Sequence, residues 1–332
     1  MQYEAKWLNA LKGLAVIVIY MGYVGGELTT GYIFITTHYI PLLFFVLGIA
    51  ENFCYEEDIF NYLISKVKTV LIPCYVMASL VVIMITIQYD CGWDTIANMT
   101  VFMARGIVRN TFVADSLWYL TCLFSMQMMF YVIKKVRYKW IVFGICLGLH
   151  YANTIMMNSA DYSRWCFNVD GALYYMIFYA LGYLSFPYVQ KLLELNTRKK
   201  GLLFAITGSA SLAYSALLYF GIDVLSFIVP SFAWRFVFWL KASLIMWSYV
   251  VCARGLQNVK FLAIIGENIL YLCGSMYLLK VLISTVVSIL GRSMIMIVPL
   301  RAYMYIGVLL FVGIRYLVPI EKYLVGKIVK KV

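Results

Sequence analysis

Histidine, proline and acidic residues are scarce in this sequence. Its 332 residues include two His, six Pro and 15 Asp and Glu, against 27 Lys and Arg. Charged residues make up only 13% of the chain, about half their share in soluble globular proteins, which excludes an ordinary soluble domain. The eight cysteines show neither a CxxC pair nor another metal-type spacing, so no metal site is predicted.

Long apolar runs are what the sequence has in abundance. Hydrophobic residues make up 64% of the chain, and its mean hydropathy is +0.87. Runs near the roughly 20 residues that cross a bilayer recur along the whole length. The sequence therefore predicts an all-α integral membrane protein with a single transmembrane domain over residues 1–332. Its ten predicted spans are residues 7–24, 31–50, 70–88, 117–133, 140–157, 171–186, 202–220, 232–252, 262–287 and 295–317.

Short basic clusters between these spans orient the chain, because short cytoplasmic loops retain Lys and Arg. The inner-side cations are Lys6, Lys66, Lys68, Lys134, Lys135, Arg137, Lys139, Lys191, Arg198, Lys199, Lys200, Arg254, Lys260, Lys322, Lys327, Lys330 and Lys331. Both termini are therefore predicted to be cytoplasmic, in a multi-pass protein surrounded by the lipids of the cell membrane, with a bacterial inner membrane as the expected location. This distribution explains the net charge of +12 without a nucleic-acid partner.

Residues 56–69, before the third predicted span, have the pattern of an amphipathic helix. Apolar residues alternate with charged ones at helical spacing. Such a segment is expected to lie along the inner membrane surface.

Two cysteines fall in predicted outer loops. Cys91 and Cys166 lie where a disulfide would persist, and the sequence leaves their pairing open. Most of the other cysteines lie inside apolar runs, which favours a packing role.

The first predicted span carries Lys12 and, eleven residues later, Tyr23. Eleven steps of about 100° return to nearly the same face, and the rise of about 1.5 Å per residue separates the two side chains by about 16 Å. They either line a path across the membrane, or Lys12 extends to the inner headgroups while Tyr23 belongs to the outer aromatic belt.

Six segments, in chain order, carry a resemblance to a known family. They are LKGLAVIVIYMGY (11–23), HYIPLLFFVLG (38–48), KVKTVLIP (66–73), DSLWYLTCLF (115–124), DGALYYMIFYALGYL (170–184) and FLAIIGENILYLCGSMYLL (261–279). Each is similar to a segment of the integral membrane acyltransferase-3 family, whose first span carries a basic residue eleven positions before a histidine. The resemblance covers most of the chain.

The resemblance implies an activity and its substrates. Members of the family pass an acyl group, usually acetyl, from a cytoplasmic coenzyme A thioester to a hydroxyl of a surface glycan. Acetyl-CoA or another acyl-CoA is therefore the expected donor, and a surface glycan the expected acceptor. Lys12, together with Lys66 and Lys68, is expected to hold the donor phosphates at the inner face.

The chain departs from the family at its histidines. The family's general base falls on Tyr23, the histidine before its second-span proline on Tyr39, and its late histidine on Met276. A phenol is a weaker base than an imidazole at neutral pH. Tyr23 nevertheless stays a catalytic candidate because of its position.

The two histidines of the chain, His38 and His150, are the other candidates for a base. His38 is one residue from the family position, and one step turns a helical side chain by about 100°, so it reaches the interior only if the second span is rotated or unwound before Pro41. His150 is interpreted as a packing residue or an interfacial anchor. His38 is thus the predicted imidazole base.

Further polar side chains fall at membrane depth. Lys241 and Lys280 lie inside predicted spans, where an unpaired charge is costly, so both are predicted to face a polar interior. With Tyr39 and Asn268 they are candidates for substrate binding.

Three functions stay open at this point. The first is an O-acyltransferase that modifies a cell-envelope polysaccharide. The second is a catalytically inactive relative that binds or exports glycan, which the missing histidines favour. The third is a small-molecule transporter, which the lack of an internal repeat disfavours.

Overall fold

The computed structural model describes residues 6–24, 38–54, 58–106, 117–156, 165–219, 234–289 and 299–330. Within these ranges the secondary structure is entirely helical. In chain order the α-helices are α1 (Lys6–Val24), α2 (Tyr39–Glu51), α3 (Ile59–Lys66), α4 (Ile72–Tyr89), α5 (Trp93–Ala104), α6 (Trp118–Ile133), α7 (Lys139–Met156), α8 (Val169–Glu194), α9 (Thr197–Tyr219), α10 (Trp234–Gly255), α11 (Lys260–Glu267), α12 (Ile269–Gly274), α13 (Met276–Ile289), α14 (Pro299–Val312) and α15 (Val318–Val329).

The helices belong to two compact units that alternate along the chain. The first unit comprises Met1–Phe53, Leu181–Glu267 and Met296–Ile306, and the second comprises Cys54–Ala180, Asn268–Ile295 and Gly307–Val332. The expectation of a single domain over residues 1–332 stays a prediction.

In the first unit, α1 packs against α2, α10 and α11. The α1–α11 contact is backbone against backbone: a Cβ on Gly13 would overlap the carbonyl of Leu262, and one on Gly266 would overlap that of Asn9. Small residues allow such close approach between apolar helices. Helix α2 is buried on nearly all sides, as expected for a helix without a polar face.

Helix α2 also holds the part of α8 that belongs to the first unit. The side-chain amide of Asn52 donates to the carbonyl of Tyr183 at 3.2 Å, and a Cβ on Gly182 would overlap the carbonyl of Phe45. The hydrogen bond and the close contact fix this end of α8 against α2.

In the second unit, α3 and α4 form one continuous helix, joined by a π-helical turn at Val67–Leu71. Asp58 caps its start by accepting a hydrogen bond from the backbone N–H of Asn61 at 3.2 Å. The structure thus joins the predicted surface helix to the third predicted span without a break. A π turn adds one residue to a helical turn without ending the helix, so the change of pattern near Lys66 marks no boundary.

Two further spans differ from prediction. Residues 262–287, predicted as one helix, are divided into α11, α12 and α13 at Asn268 and Ser275. Asn268 (φ −109°, ψ 19°) and Ser275 (φ −86°, ψ 2°) both depart from helical backbone angles. The Ser275 hydroxyl donates to the Tyr271 carbonyl at 2.6 Å, which also accepts the Ser275 N–H at 2.9 Å. The last predicted span, 295–317, continues as a helix through α15.

Three helices in the described ranges are long and apolar enough to cross a membrane: Ile59–Gln88, Cys166–Glu194 and Tyr303–Val329. Large apolar side chains on their surfaces are solvent-exposed in the isolated chain, such as Ile87 at 78% and Phe311 at 62%. Exposed apolar surface of this extent is expected where lipid is the surrounding medium. The chain is therefore an all-helical protein with helices suited to a membrane.

Candidate functional site

The predicted base, His38, lies immediately before α2 in the first unit. Its backbone is not helical (φ −141°, ψ −4°), and α2 begins at Tyr39, two residues before Pro41. The His38 side chain has no solvent-exposed surface. The structure therefore places this imidazole inside the unit, at the unwound start of α2.

Tyr249 on α10 is the hydrogen-bond partner of His38. The Nε2 atom of His38 lies 2.9 Å from the Tyr249 hydroxyl oxygen, and the ring centroids are 5.5 Å apart. This pair fixes the orientation of the imidazole. Sequence reasoning missed Tyr249, since nothing in the pattern distinguishes it among 28 tyrosines.

Tyr23 and Tyr39 pack against each other at the end of α1. Their rings meet edge to face, with centroids 5.7 Å apart and an interplanar angle of 85°. Gly22 makes room, because a Cβ there would lie 3.0 Å from the Tyr39 ring. Two of the three positions where the resemblance implies histidines thus hold one half-buried aromatic pair.

Lys12 lies on the same continuous helix as Tyr23, as the spacing predicts. Its side chain is only 8% exposed, beside the close α1–α11 contact at Gly13. The side chain is therefore buried within the first unit. That Lys12 faces a polar interior stays a prediction.

Lys66, in the second unit, belongs to a group of lysines around two stacked tyrosine rings. Tyr62 and Tyr131 are buried and their ring centroids lie 4.6 Å apart. The Nζ atoms of Lys66 and Lys134 lie 4.8 and 5.0 Å from the Tyr62 centroid, and that of Lys135 lies 4.3 Å from the Tyr131 centroid. We refer to these five residues as the lysine–tyrosine cluster.

The lysine–tyrosine cluster brings several positive charges together at a partly buried position. Lys66 is 7% exposed, and its ammonium group lies 3.7 Å from the Cys54 thiol. Cation–π contacts favour the lysines, while their mutual repulsion is relieved by a bound anion. Sequence reasoning assigned Lys134 and Lys135 only a topological role, because cation–π geometry is not visible in a linear pattern.

The other predicted binding residues are not members of this cluster. Lys68 is half-buried on the π turn, and Lys280 is exposed on α13. Asn268 is buried at the start of α12. Lys241 lies on α10, but its side chain is outside the part that the structure describes.

Met276 and His150 occupy packed positions in the second unit. Met276 is 2% exposed at the start of α13. The Nδ1–H of His150 donates to the Tyr174 carbonyl at 2.6 Å, and its ring lies against the Tyr174 ring at 4.7 Å between centroids. His150 is therefore a hydrogen-bonded packing residue.

The cysteines and the acidic residues add no further site. Cys91 and Cys166 are both free thiols, so no disulfide joins them. Among the described residues, no three His, Cys, Asp or Glu side chains converge in a way that would hold a metal ion. That the protein needs no metal stays a prediction.

Comparison with known proteins adds no family to this description. The chain matches no protein-family model, no curated protein and no solved structure. The resemblance to the acyltransferase-3 family therefore rests on the six sequence segments alone.

Proposed function

We propose that the chain is a multi-pass membrane O-acyltransferase that moves an acyl group, most simply acetyl, from cytoplasmic acyl-CoA to a hydroxyl of a cell-envelope polysaccharide. The observation that carries the proposal is the buried His38–Tyr249 pair, which supplies an oriented imidazole in a chain with helices suited to a membrane. The topology belongs to the proposal: ten spans, both termini cytoplasmic, in a bacterial inner membrane.

His38 acts in this proposal as the general base. It takes the proton of the acceptor hydroxyl as the hydroxyl oxygen attacks the thioester carbonyl. The new C–O bond forms, the C–S bond breaks, and the coenzyme A thiolate recovers the proton from the imidazolium. Tyr249 is a positioning residue, since its hydroxyl holds the ring at Nε2, and general-base catalysis of this kind contributes about 10²- to 10⁴-fold.

The lysine–tyrosine cluster supports the donor half of the proposal. Coenzyme A is an anion with several phosphate groups, and lysines bind phosphate as compact point charges. The segments that carry Lys66, Lys134 and Lys135 are all predicted to lie on the cytoplasmic side, where acyl-CoA is found.

The chemistry is tested with purified protein, acetyl-CoA labelled in the acetyl group, and envelope polysaccharide. We expect label in the polysaccharide with the wild type, and a loss of at least about 100-fold for His38→Gln. Tyr249→Phe should lose less, because the imidazole remains. His150→Gln, the matched control at the other histidine, should keep the rate if it folds, as judged by thermal unfolding.

A specific observation favours a second candidate function, an inactive acyltransferase-like protein that binds or exports glycan. His38 has no exposed surface, and packed tyrosines fill the two family positions on α1 and α2. Glycan binding without labelled product in the wild type would establish this candidate and reject acyl transfer.

A further inference from the structure

A groove runs between α9 and α10 in the first unit, and its two ends differ in chemistry. One end is a cavity of about 490 Å³ whose lining includes Phe204, Leu212 and Ile245. The other is a cavity of about 410 Å³ whose lining includes the cationic side chains of Lys200 and Arg254. Phe204 and Cys252 line both cavities, so the two are adjacent. We call this feature the α9–α10 groove.

Small residues on α9 create the groove. A Cβ on Gly201 would meet nothing within 4 Å, and one on Gly208 would meet only the Ser248 hydroxyl, at 3.9 Å. The hydroxyls of Thr207 and Ser248 form a hydrogen bond that ties α9 to α10 beside the opening. The groove is therefore an open space between α9 and α10, and a hydrogen bond joins the two helices beside it.

The charged end has one sign only. No acidic side chain is among the described residues that line it. Arg254 is oriented by a hydrogen bond from its Nη1 to the Gln257 side-chain oxygen at 2.8 Å. Both Lys200 and Arg254 belong to segments predicted to face the cytoplasm, so this end lies at the level of the inner headgroups.

The length of the groove matches one leaflet. Lys200 and Leu212 are twelve residues apart on one helix, which is about 18 Å at about 1.5 Å per residue. Half of the hydrocarbon core is about 15 Å thick. The outer surface of α9 is apolar and exposed at Leu202 (61%) and Ile206 (56%), as a lipid-facing helix should be. A chain that enters beside Lys200 therefore ends near the apolar bottom of the groove.

We propose that the α9–α10 groove binds one anionic phospholipid of the inner leaflet, with its phosphate at Lys200 and Arg254 and an acyl chain along Phe204, Leu212 and Ile245. The charge at one end, the apolar lining at the other and the leaflet-length span together select this ligand over a free phosphate, which has no chain, and over a zwitterionic phospholipid, whose choline group offsets the charge of its phosphate. This proposal does not depend on acyl transfer.

The test is native mass spectrometry of the detergent-solubilised full chain, titrated with phosphatidylglycerol and, separately, with phosphatidylcholine. We expect one retained phosphatidylglycerol bound about 30-fold more tightly than phosphatidylcholine, since each of the two basic residues contributes about 1 kcal/mol near an anionic headgroup and about 1.4 kcal/mol is tenfold. Lys200→Gln with Arg254→Gln should abolish that preference. Gly208→Leu, which fills the apolar cavity, should weaken the binding of both lipids.

The matched control is Arg198→Gln with Lys199→Gln, which removes two exposed cations from the same turn of α9 that do not line the groove. An equal loss of preference in this control would show unspecific surface charge and overturn the proposal. So would unchanged binding in the Lys200/Arg254 variant, or displacement of the lipid by equimolar acetyl-CoA, which would give the groove to the acyl donor. A single Lys200→Gln variant covers the case in which the double variant fails to fold.

Discussion

His38 and Tyr249 lie far apart in the chain and are joined by one hydrogen bond. This bond replaces those that water would otherwise make to the two side chains. Because the His38 ring is fully buried, loss of the Tyr249 hydroxyl leaves a desolvated ring nitrogen, at a cost of about 1–3 kcal/mol. Tyr249→Phe should therefore lower the thermal unfolding temperature in detergent. Tyr316→Phe, at an exposed tyrosine (60%), should leave it unchanged, and equal temperatures for the two variants would contradict the assigned hydrogen bond.

Glu321 is the opposite case, because no hydrogen bond from the described residues compensates its buried carboxyl group for the loss of water. Its side chain is 0% exposed, and among the described residues neither oxygen makes a hydrogen bond. An apolar side chain of similar size removes this desolvation cost, so Glu321→Met should raise the unfolding temperature. The control is Glu194→Met at the exposed end of α8, where no gain is expected. A lower unfolding temperature for Glu321→Met would mean that the carboxyl has a partner.

At the scale of residues, the sequence predicted side chains that share one helix better than those that meet across helices. Lys12 and Tyr23 lie on one continuous helix, as predicted. That relation could be predicted because it depends only on helical periodicity. Lys66 was predicted as a binding residue, but Tyr249 and the assembly of the lysine–tyrosine cluster were missed, because the contacts that form them join residues 69 to 211 positions apart in the chain.

At the scale of elements, glycines decide which helices approach closely. A Cβ on Gly266 would overlap the Asn9 carbonyl, whereas one on Gly144 of α7 would meet nothing within 4 Å. Gly266→Ala should therefore destabilise the protein by about 1–3 kcal/mol, and Gly144→Ala should stabilise it by about 0.5–1 kcal/mol through helix propensity. Chemical unfolding compares the pair, and the same sign for both would refute the close α1–α11 contact.

Apolar runs in the sequence predicted where helices form, but they did not predict where a helix is interrupted or continues. The prediction 117–133 agrees with α6 to within one residue, because polar segments bound that run on both sides. The predictions failed where non-helical backbone angles break a helix, at Asn268 and Ser275, and where a helix continues through the π turn after Lys66. These local choices depend on side-chain and backbone geometry that hydropathy does not encode.

At the scale of the whole molecule, the predicted orientation can be tested with two cysteines. Cys54 and Cys166 are both exposed thiols, and the predicted topology assigns them to the inner and outer sides. In intact cells, a membrane-impermeant maleimide should label a variant that retains only Cys166 and should not label one that retains only Cys54. After permeabilisation both should react. Labelling of Cys54 in intact cells would reverse or reject the topology.

The donor site can be tested by binding alone. Lys134→Gln with Lys135→Gln should weaken coenzyme A binding by about tenfold or more, because each loses a charge-assisted phosphate contact. Lys139→Gln removes an exposed lysine of the same segment that lies outside the lysine–tyrosine cluster and should bind as the wild type does. Equal affinity in all three proteins, measured by calorimetry, would remove the cluster from the donor site.

The continuous helix Ile59–Gln88 has 30 residues and is therefore about 45 Å long, whereas the hydrocarbon core of a bilayer is about 30 Å thick. In a helix of this length that crosses a bilayer, tilt absorbs part of the excess, and the remaining turns extend beyond the hydrocarbon. Lys66 is on those first turns, so the height of the lysine–tyrosine cluster above the hydrocarbon varies with bilayer thickness. Coenzyme A affinity, measured in vesicles made from lipids of different acyl-chain lengths, should therefore change with the length of the lipid chains. Membrane thickness would then regulate donor binding.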